Sequence, residues 1–387
     1  MKITIPDFCL VGLIGPSGPA PSAFVRRTFG PADIAGTDDD LDAALAVAGE
    51  RLARREIAVV QIASASRANL QALAHLAKTW HVQRVALLAG PVSPGQLDNA
   101  GFHTVHELPE LDPEQDLVEI VREPLAVDRR GELAPFDIIG DVHGCADELI
   151  GLLQRLGYGV DFEGDDRRAL VTPPFGRRAV FVGDLADRGP NAPDVLRIVM
   201  AMVEAGQGLC VPGNHDAKLR RWLGGRDVKP THGFDKTMAQ LAHEPPEFHA
   251  RVRTFFDRLA THLWLDGGRL VVAHAGIAEA MVGRSAGAVR EFCLYGDTDG
   301  QVDRSGLAIR YNWAADYRGA ATVVYGHTPV EHATWVGNTV CIDTGCCFGA
   351  KLTALRWPER EVVTVPARAT YAELRRPLGL PAPRPQS

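Results

Sequence analysis

Five short apolar runs, each ending in a polar residue beside glycine, constrain the fold of this chain more than any other feature. Phe136-Asp137-Ile138-Ile139 leads into Gly140-Asp141-Val142-His143-Gly144. Ala179-Val180-Phe181-Val182 leads into Gly183-Asp184-Leu185-Ala186-Asp187-Arg188-Gly189. Leu209-Cys210-Val211-Pro212 leads into Gly213-Asn214-His215-Asp216. Leu270-Val271-Val272-Ala273 leads into His274-Ala275-Gly276. Ala321-Thr322-Val323-Val324-Tyr325 leads into Gly326-His327-Thr328-Pro329. Runs of this length, rich in β-branched residues and uninterrupted by charge, read as strands buried on both faces. Ligands of α/β sheets gather beyond the carboxyl ends of such strands. Glycine at each turn lets the backbone bend sharply and come close to whatever is bound. Two Asp, three His and one Asn can therefore converge from distant parts of the chain.

That donor set mixes carboxylate, imidazole and amide oxygen. It suits Mn²⁺, with Fe, Zn²⁺ or Ni²⁺ as alternatives, better than an all-oxygen calcium site or an all-thiolate zinc site. The donors outnumber the needs of one ion, and one carboxylate can bridge two. Two divalent ions bring more positive charge than two Asp ligands return. Such a site attracts phosphate and acidifies a bound water.

These motifs resemble those of the calcineurin-like metallophosphoesterase superfamily, in the same order, over residues 135–358. The resemblance implies an α/β fold in which a β-sandwich is flanked by helices. It implies that Asp141 and His143 bind a first metal and that Asp184 bridges. Asn214, His274 and His327 complete the second site. It makes His215 the proton donor to the leaving oxygen, Asp187 its orienting partner and Arg188 the holder of the phosphoryl oxygens. Gly326-His327-Thr328 lacks the second His of some nuclease branches, which favours the phosphatase branch. Taken singly the motifs are weak: a lone His after an apolar strand is more often a satisfied core residue, and a lone Asn a turn former. Their shared context, each at a strand end, gives them weight.

Other residues read two ways. Asp147 and Glu148 are expected to face solvent or to suit the start of the helix that follows. Lys218, Arg220 and Arg221, followed by Lys229, His232 and Lys236, form either a solvated helix face or a basic wall for a polyanion. The insert Glu291–Arg318 carries Tyr295, Arg304, Arg310, Tyr311, Trp313, Tyr317 and Arg318. These either stack a base and hold its phosphate, or attach the insert to the domain.

Residues 1–130 alternate apolar runs (Phe8-Cys9-Leu10-Val11, Ala58-Val59-Val60, Val85-Ala86-Leu87-Leu88) with helical patterns at Leu41–Ala53 and Leu70–Lys78. This alternation predicts a small α/β domain. After its first strand comes Gly15-Pro16-Ser17-Gly18-Pro19-Ala20-Pro21-Ser22, close to a phosphate-binding loop. Its second glycine is Ala20 and its lysine is Pro21, which has neither charge nor amide hydrogen. No ATP is expected there. With both halves in view the chain is similar to the kinase-phosphatase portion of bacterial polynucleotide kinase-phosphatase, an RNA end-healing enzyme. It would carry a degenerate P-loop-kinase-like domain and no ligase domain. Asp38 falls where that family keeps its catalytic base, but without the lysine it reads as a surface acid.

The wider sequence bounds the setting. No apolar stretch reaches the roughly 18 residues of a membrane-crossing helix, and the first residues lack a signal peptide. Seven cysteines, an odd number, suggest reduced thiols. Cys341, Cys346 and Cys347 lack a second pair at zinc-finger spacing. The expectation is a soluble, cytoplasmic protein. The net charge of −7 argues against broad coating of nucleic acid, but leaves room for a local pocket taking one phosphorylated end. The Pro-rich stretch 366–387 reads as a tail disordered at its tip. The expected activity is hydrolysis of phosphomonoesters, and of 2′,3′-cyclic phosphodiesters, at nucleotide or RNA ends. A serine/threonine protein phosphatase or a dinucleoside tetraphosphate hydrolase is the alternative. Residues 1–130 could dock a protein or RNA partner.

Overall fold

A computed structural model describes residues 1–16, 18–92, 97, 100–112, 118–303 and 308–384. Ser17 of the glycine-rich loop, Arg304 of the insert and the last three residues of the tail lie outside them. The chain divides into two compact units, one of Met1–Ala126 with Arg284–Val289, the other of Val127–Gly283 with Arg290–Ser387. The short stretch Arg284–Val289 therefore groups with the first unit, although the sequence placed it inside the second. Among the described residues no helix is long and apolar enough to cross a membrane.

In the first unit the apolar runs become a five-stranded sheet in the order Ile34–Thr37, Ala58–Ile62, Leu10–Ile14, Arg84–Leu88, Thr104–Glu107. All its pairings are parallel. Leu10–Ile14 and Ala58–Ile62 are buried along their whole length, which is why they carry no alternation of polar residues. The helix Leu41–Ala53 begins where the Asp40 side chain accepts the Ala43 amide, and Arg67–Thr79 where Ser66 accepts that of Asn69. The glycine-rich loop leads from Leu10–Ile14 into the helix Pro19–Thr28. Pro19 and Pro21 remove two amides from that helix's first turn. The cavity beside it is lined by those prolines, Leu88 and Leu108, with Glu107 and Glu110 at its edge. Prolines and carboxylates are a poor cradle for phosphate.

The second unit is a sandwich of two mixed sheets. One runs Gly208–Cys210, Arg178–Phe181, Phe136–Ile139, Lys351–Trp357, Glu361–Pro366. The other runs Thr334–Val336, Thr339–Cys341, Thr322–Tyr325, Leu270–Ala273, His262–Leu265, Asp128–Arg129. Period-two alternation sorts the side chains. Phe136, Ile138, Val180 and Leu355 of the first sheet meet Leu263, Val272, Val324 and Val340 of the second. Ile139, Ala179 and Phe181 point the other way, against the helices Ala146–Leu156 and Ala192–Glu204. Phe136–Ile139, Arg178–Phe181 and Gly208–Cys210 are parallel neighbours. So are Leu270–Ala273 and Thr322–Tyr325 in the other sheet. All five motif-bearing carboxyl ends thus open on one edge of the sandwich.

One expectation needs correcting. Asp147 is exposed and pairs with Arg368, but Glu148 is 2% exposed. It accepts the Arg368 amide and the Tyr371 hydroxyl, each at 2.8 Å. The tip of the tail, read as disordered, lies outside the described residues, and the stretch from Pro366 up to it is tied by backbone bonds. The Tyr371 and Ala372 amides donate to Cys347 O, Gly379 N–H donates to Pro329 O, and Asn312 N–H donates to Ala382 O.

Candidate metal centre

Asp184 lies at the middle of the convergence. The His143 amide donates to Asp184 O at 2.8 Å, and the His215 amide donates to Asp184 Oδ1 at 3.0 Å. The loop after Thr322–Tyr325 closes the ring, with Gly326 N–H donating to His274 O and His327 N–H to Asp141 Oδ2. Asp216, fully buried, accepts the Gly213 and Leu185 amides and so ties the second motif to the third. His143, Asp184, Asp187, Arg188 and His327 all adopt left-handed backbone conformations, with φ between 48° and 73°. Side-chain-bearing residues adopt this conformation uncommonly, and five of those that do here fall on the motif loops. Two glycines permit the closest approaches. A Cβ on Gly326 would stand 1.8 Å from Asp141 Oδ1, and one on Gly213 2.0 Å from Asp184 Oδ1.

The donor atoms face one another with too few protons between them. His274 Nδ1 donates to Val182 O at 3.0 Å, an assignment made from the hydrogen-bond network, so its Nε2 presents a lone pair. That nitrogen lies 3.1 Å from Asn214 Oδ1, 3.0 Å from His327 Nδ1 and 3.5 Å from Asp184 Oδ1. His143 is held the same way by Ala186 O, and its Nε2 lies 3.4 Å from Asp184 Oδ2. Asp141 Oδ1 and His327 Nε2 are buried without a hydrogen-bond partner among the described residues. Orphaned acceptors in a dry site are costly, and a divalent cation satisfies several at once. Ligand atoms of His143, Asp184 and His215, and again of Asp184, His274 and His327, fall within 4.8 Å of one another. The residues therefore fit a pair of divalent ions sharing Asp184, with His215, although within reach, engaged by Asp187 and Arg188 instead.

Electrostatics agree with that fit. Burial pushes the Asp184 carboxyl up, but His274, His215, His143 and His327 around it win and hold it well below the usual range. Burial lowers His143, His274 and His327, with Arg188 adding to the first and Arg310 to the last. The Asp141 carboxyl is driven up by burial and by Asp343 and Asp184. Three carboxylates this close repel until positive charge joins them.

Beside the centre, His215 Nδ1 donates to Asp187 Oδ2 at 2.5 Å. Arg188 donates from Nη2 to His215 Nε2 at 3.1 Å and from Nη1 to His143 Nε2 at 2.6 Å. Its guanidinium lies 5.0 Å above the Phe348 ring. Two further groups stand beside the centre, Asp343, which was not singled out from the sequence, and Arg310, which was named there among the residues of the insert. Asp343 is 4% exposed, and burial lifts its carboxyl to about 6. Arg310 donates to His327 O at 3.4 Å and has no carboxylate partner among the described residues. Burial, then Arg376, brings it down to about 10. Only the apolar run before Gly326 and the aromatic-arginine mixture of the insert hinted at Arg310.

The remaining candidates separate. Trp313 donates to Ala275 O and packs on Tyr325, while Tyr317 donates to Ala321 O, so these two anchor the insert. Arg318 donates to backbone carbonyls of Ala315 and Tyr317. Arg220 pairs with Asp257, and Lys218 donates to Thr231 O. His232 does approach the centre, with its ring centroid 6.5 Å from that of His215. All seven cysteines are free and buried.

Residues 134–356 match the family model described as calcineurin-like phosphoesterase. The chain is similar to the asymmetrical bis(5′-nucleosyl)-tetraphosphatase PrpE of Anoxybacillus flavithermus, at 46% identity over 247 residues, which is 62% of this chain and 98% of that protein. PrpE of Bacillus subtilis is 43% identical over 244 residues, again 62% and 98% of the two chains. A crystal structure provisionally named as a diadenosine tetraphosphatase aligns with a TM-score of 0.44 and 23% identity, covering 62% of this chain and 97% of that one. None of these three carries the name of a polynucleotide kinase-phosphatase, the narrower likeness read from the sequence.

Proposed function

This chain belongs to the calcineurin-like phosphoesterase family and is a metal-dependent phosphoester hydrolase, and on that premise we propose that it splits a dinucleoside tetraphosphate into two unequal nucleotides. The observation that carries the reading is the set of acceptors closed around Asp184, with Arg188 against His143 and His215 and Arg310 against His327. The substrate class is taken from relatives that share nearly half their residues with this chain over 98% of their own length. It was the alternative reading of the sequence and now becomes the first.

Asp141, His143 and Asp184 would hold one divalent ion, and Asp184, Asn214, His274 and His327 the other. Mn²⁺ is the preferred identity, with Fe, Zn²⁺ or Ni²⁺ as alternatives. When bound, such ions neutralise phosphoryl oxygens and make a water nucleophilic at neutral pH. The chain's own groups do the rest. Arg188 and Arg310 offer charged N–H donors to the oxygens of the phosphoryl group under attack. Asp187 holds Nδ1–H of His215, so Nε2 is the atom that carries the proton to the leaving oxygen. One P–O bond forms with water and one bridging P–O bond breaks. The leaving phosphate takes the proton, giving a nucleoside monophosphate and a nucleoside triphosphate.

The test is a substrate panel with added Mn²⁺. Diadenosine tetraphosphate should give AMP and ATP faster than 3′-phosphorylated RNA, a 2′,3′-cyclic nucleotide or a phosphoserine peptide loses phosphate. Faster turnover of the RNA or cyclic substrates would displace this reading. Those substrates belong to a second reading, phosphate removal at nucleotide or RNA ends, with residues 1–130 positioning RNA or a protein partner. It is favoured by the parallel sheet of the first unit, whose central strand ends in a glycine-rich loop.

A further inference from the structure

Next to His327 a groove runs between the hairpin Asp297–Val302/Ala308–Tyr311 and the turn at Thr328. The end of the chain fills it. Leu380 and Pro381 line the same small cavity as Arg310, His327, Thr328 and Tyr295, and about 10 Å³ remains among them, room for one water molecule. On either side the segment is tied down. Gly379 N–H donates to Pro329 O at 2.8 Å, and Asn312 N–H donates to Ala382 O at 2.9 Å. Arg384 pairs with Asp297 through two donors, and its guanidinium lies 4.3 Å over the Tyr311 ring.

These ties are shallow. The Arg384–Asp297 pair is 46% and 24% exposed, and exposed ion pairs are weak. The segment Gly379–Arg384 belongs to no helix or strand. Segments held this way open locally at small cost. What they cover is better made than the cover. Arg310, between the groove and His327, is a partly buried cation without a carboxylate among the described residues, and such cations call for an anion. Tyr311 offers an aromatic face that already holds a flat guanidinium, and a nucleobase stacks in the same way. The Asn312 amide and the Pro329 carbonyl would be released as donor and acceptor.

We propose that this groove is a nucleoside subsite beside the metal centre, with a base on Tyr311 and its phosphate toward Arg310, and that Gly379–Arg384 is a strap closing it until a nucleotide displaces it. The proposal rests on the nucleotide reading of the site given above. Its consequence is that the subsite binds weakly in proportion to how rarely the strap is open.

The experiment uses AMP as the probe, titrated calorimetrically into metal-loaded protein. The full chain is compared with a chain ending at Leu378 and with full-length Arg384→Ala. Both altered chains should bind AMP more tightly, about tenfold for the shortened one if the strap is open a tenth of the time. Tyr311→Ala in the shortened chain should remove the gain. Turnover of p-nitrophenyl phosphate, which needs no nucleoside subsite, should stay the same in the shortened chain and in Arg384→Ala and shows that the centre is intact. Equal or weaker AMP binding by the altered chains would overturn the strap, and a gain that survives Tyr311→Ala would overturn the subsite. If the shortened chain does not fold, Arg384→Ala decides alone. Tighter AMP binding without cleavage of diadenosine tetraphosphate would sink the proposed substrate and leave the strap standing. Cleavage without tighter AMP binding would do the reverse.

Discussion

Asp184 is held at φ 49°, its carbonyl taken by the His143 amide and its carboxylate ringed by four histidines. Its carboxylate reaches both halves of the donor set, Oδ2 lying 3.4 Å from His143 Nε2 and Oδ1 3.5 Å from His274 Nε2. Asp184→Ala should therefore lower metal affinity and abolish phosphoester turnover together; intact metal binding in this variant would contradict the bridging position. His215 touches Asp187 and Arg188, and its proposed task is proton transfer. His215→Ala should keep metal affinity and lose about 10²- to 10⁴-fold in kcat. The deficit should shrink for p-nitrophenyl esters, whose leaving group needs little protonation, and a uniform deficit across leaving groups would argue against a proton donor. Gly213→Ala drives a methyl group into Asp184 Oδ1, 2.0 Å away. It should cost about 1–3 kcal/mol of stability and weaken metal binding, both read from thermal unfolding with and without Mn²⁺.

At the scale of elements, the strand ends were legible in sequence because two independent signals coincide there. A strand buried on both faces must be apolar throughout, so Ala179–Val182 or Leu270–Ala273 stands out, and a ligand beside glycine at its end has few other uses. Arg310 and Asp343 carry no such local mark. Their place depends on which segments become neighbours, and Arg310 meets His327 only once the insert, a hairpin of its own, has folded against the site. Glu148 misled for the same reason: it sits in the first turn of a helix, where acids usually face water, but its partner is 220 positions downstream. Glu148→Ala should leave the Arg368 amide and Tyr371 hydroxyl without their acceptor, at about 1–3 kcal/mol. It should lower the Tm while sparing p-nitrophenyl phosphate turnover; an unchanged Tm would show that this junction does not hold the end of the chain. The tip of the tail, read as disordered, lies outside the described residues, while backbone bonds to Cys347, Pro329 and Asn312 tie the part before it.

Across the whole molecule the two units have separate cores. Val11, Val59, Val85 and Leu87 form one, while the sandwich interior and the layer under the helices form the others. All donors of the metal centre lie in the unit Val127–Gly283 with Arg290–Ser387. A ligand stabilises only what it binds in the folded state, so calorimetric unfolding should show two transitions, with added Mn²⁺ raising one of them. Equal shifts in both would contradict independent units. The family and the chemistry were readable in the sequence, but the substrate was not: the motifs determine a reaction on phosphorus, and the groove that selects its substrate is assembled from the insert and the chain's end. The most direct test of the account is to titrate metal-stripped protein with Mn²⁺ while following bound metal and bis-p-nitrophenyl phosphate turnover in the same samples. The account predicts activity that rises to a plateau at two ions per chain, and neither binding nor activity in Asp184→Ala. Full activity without bound metal, or unchanged binding and turnover in Asp184→Ala, would contradict it.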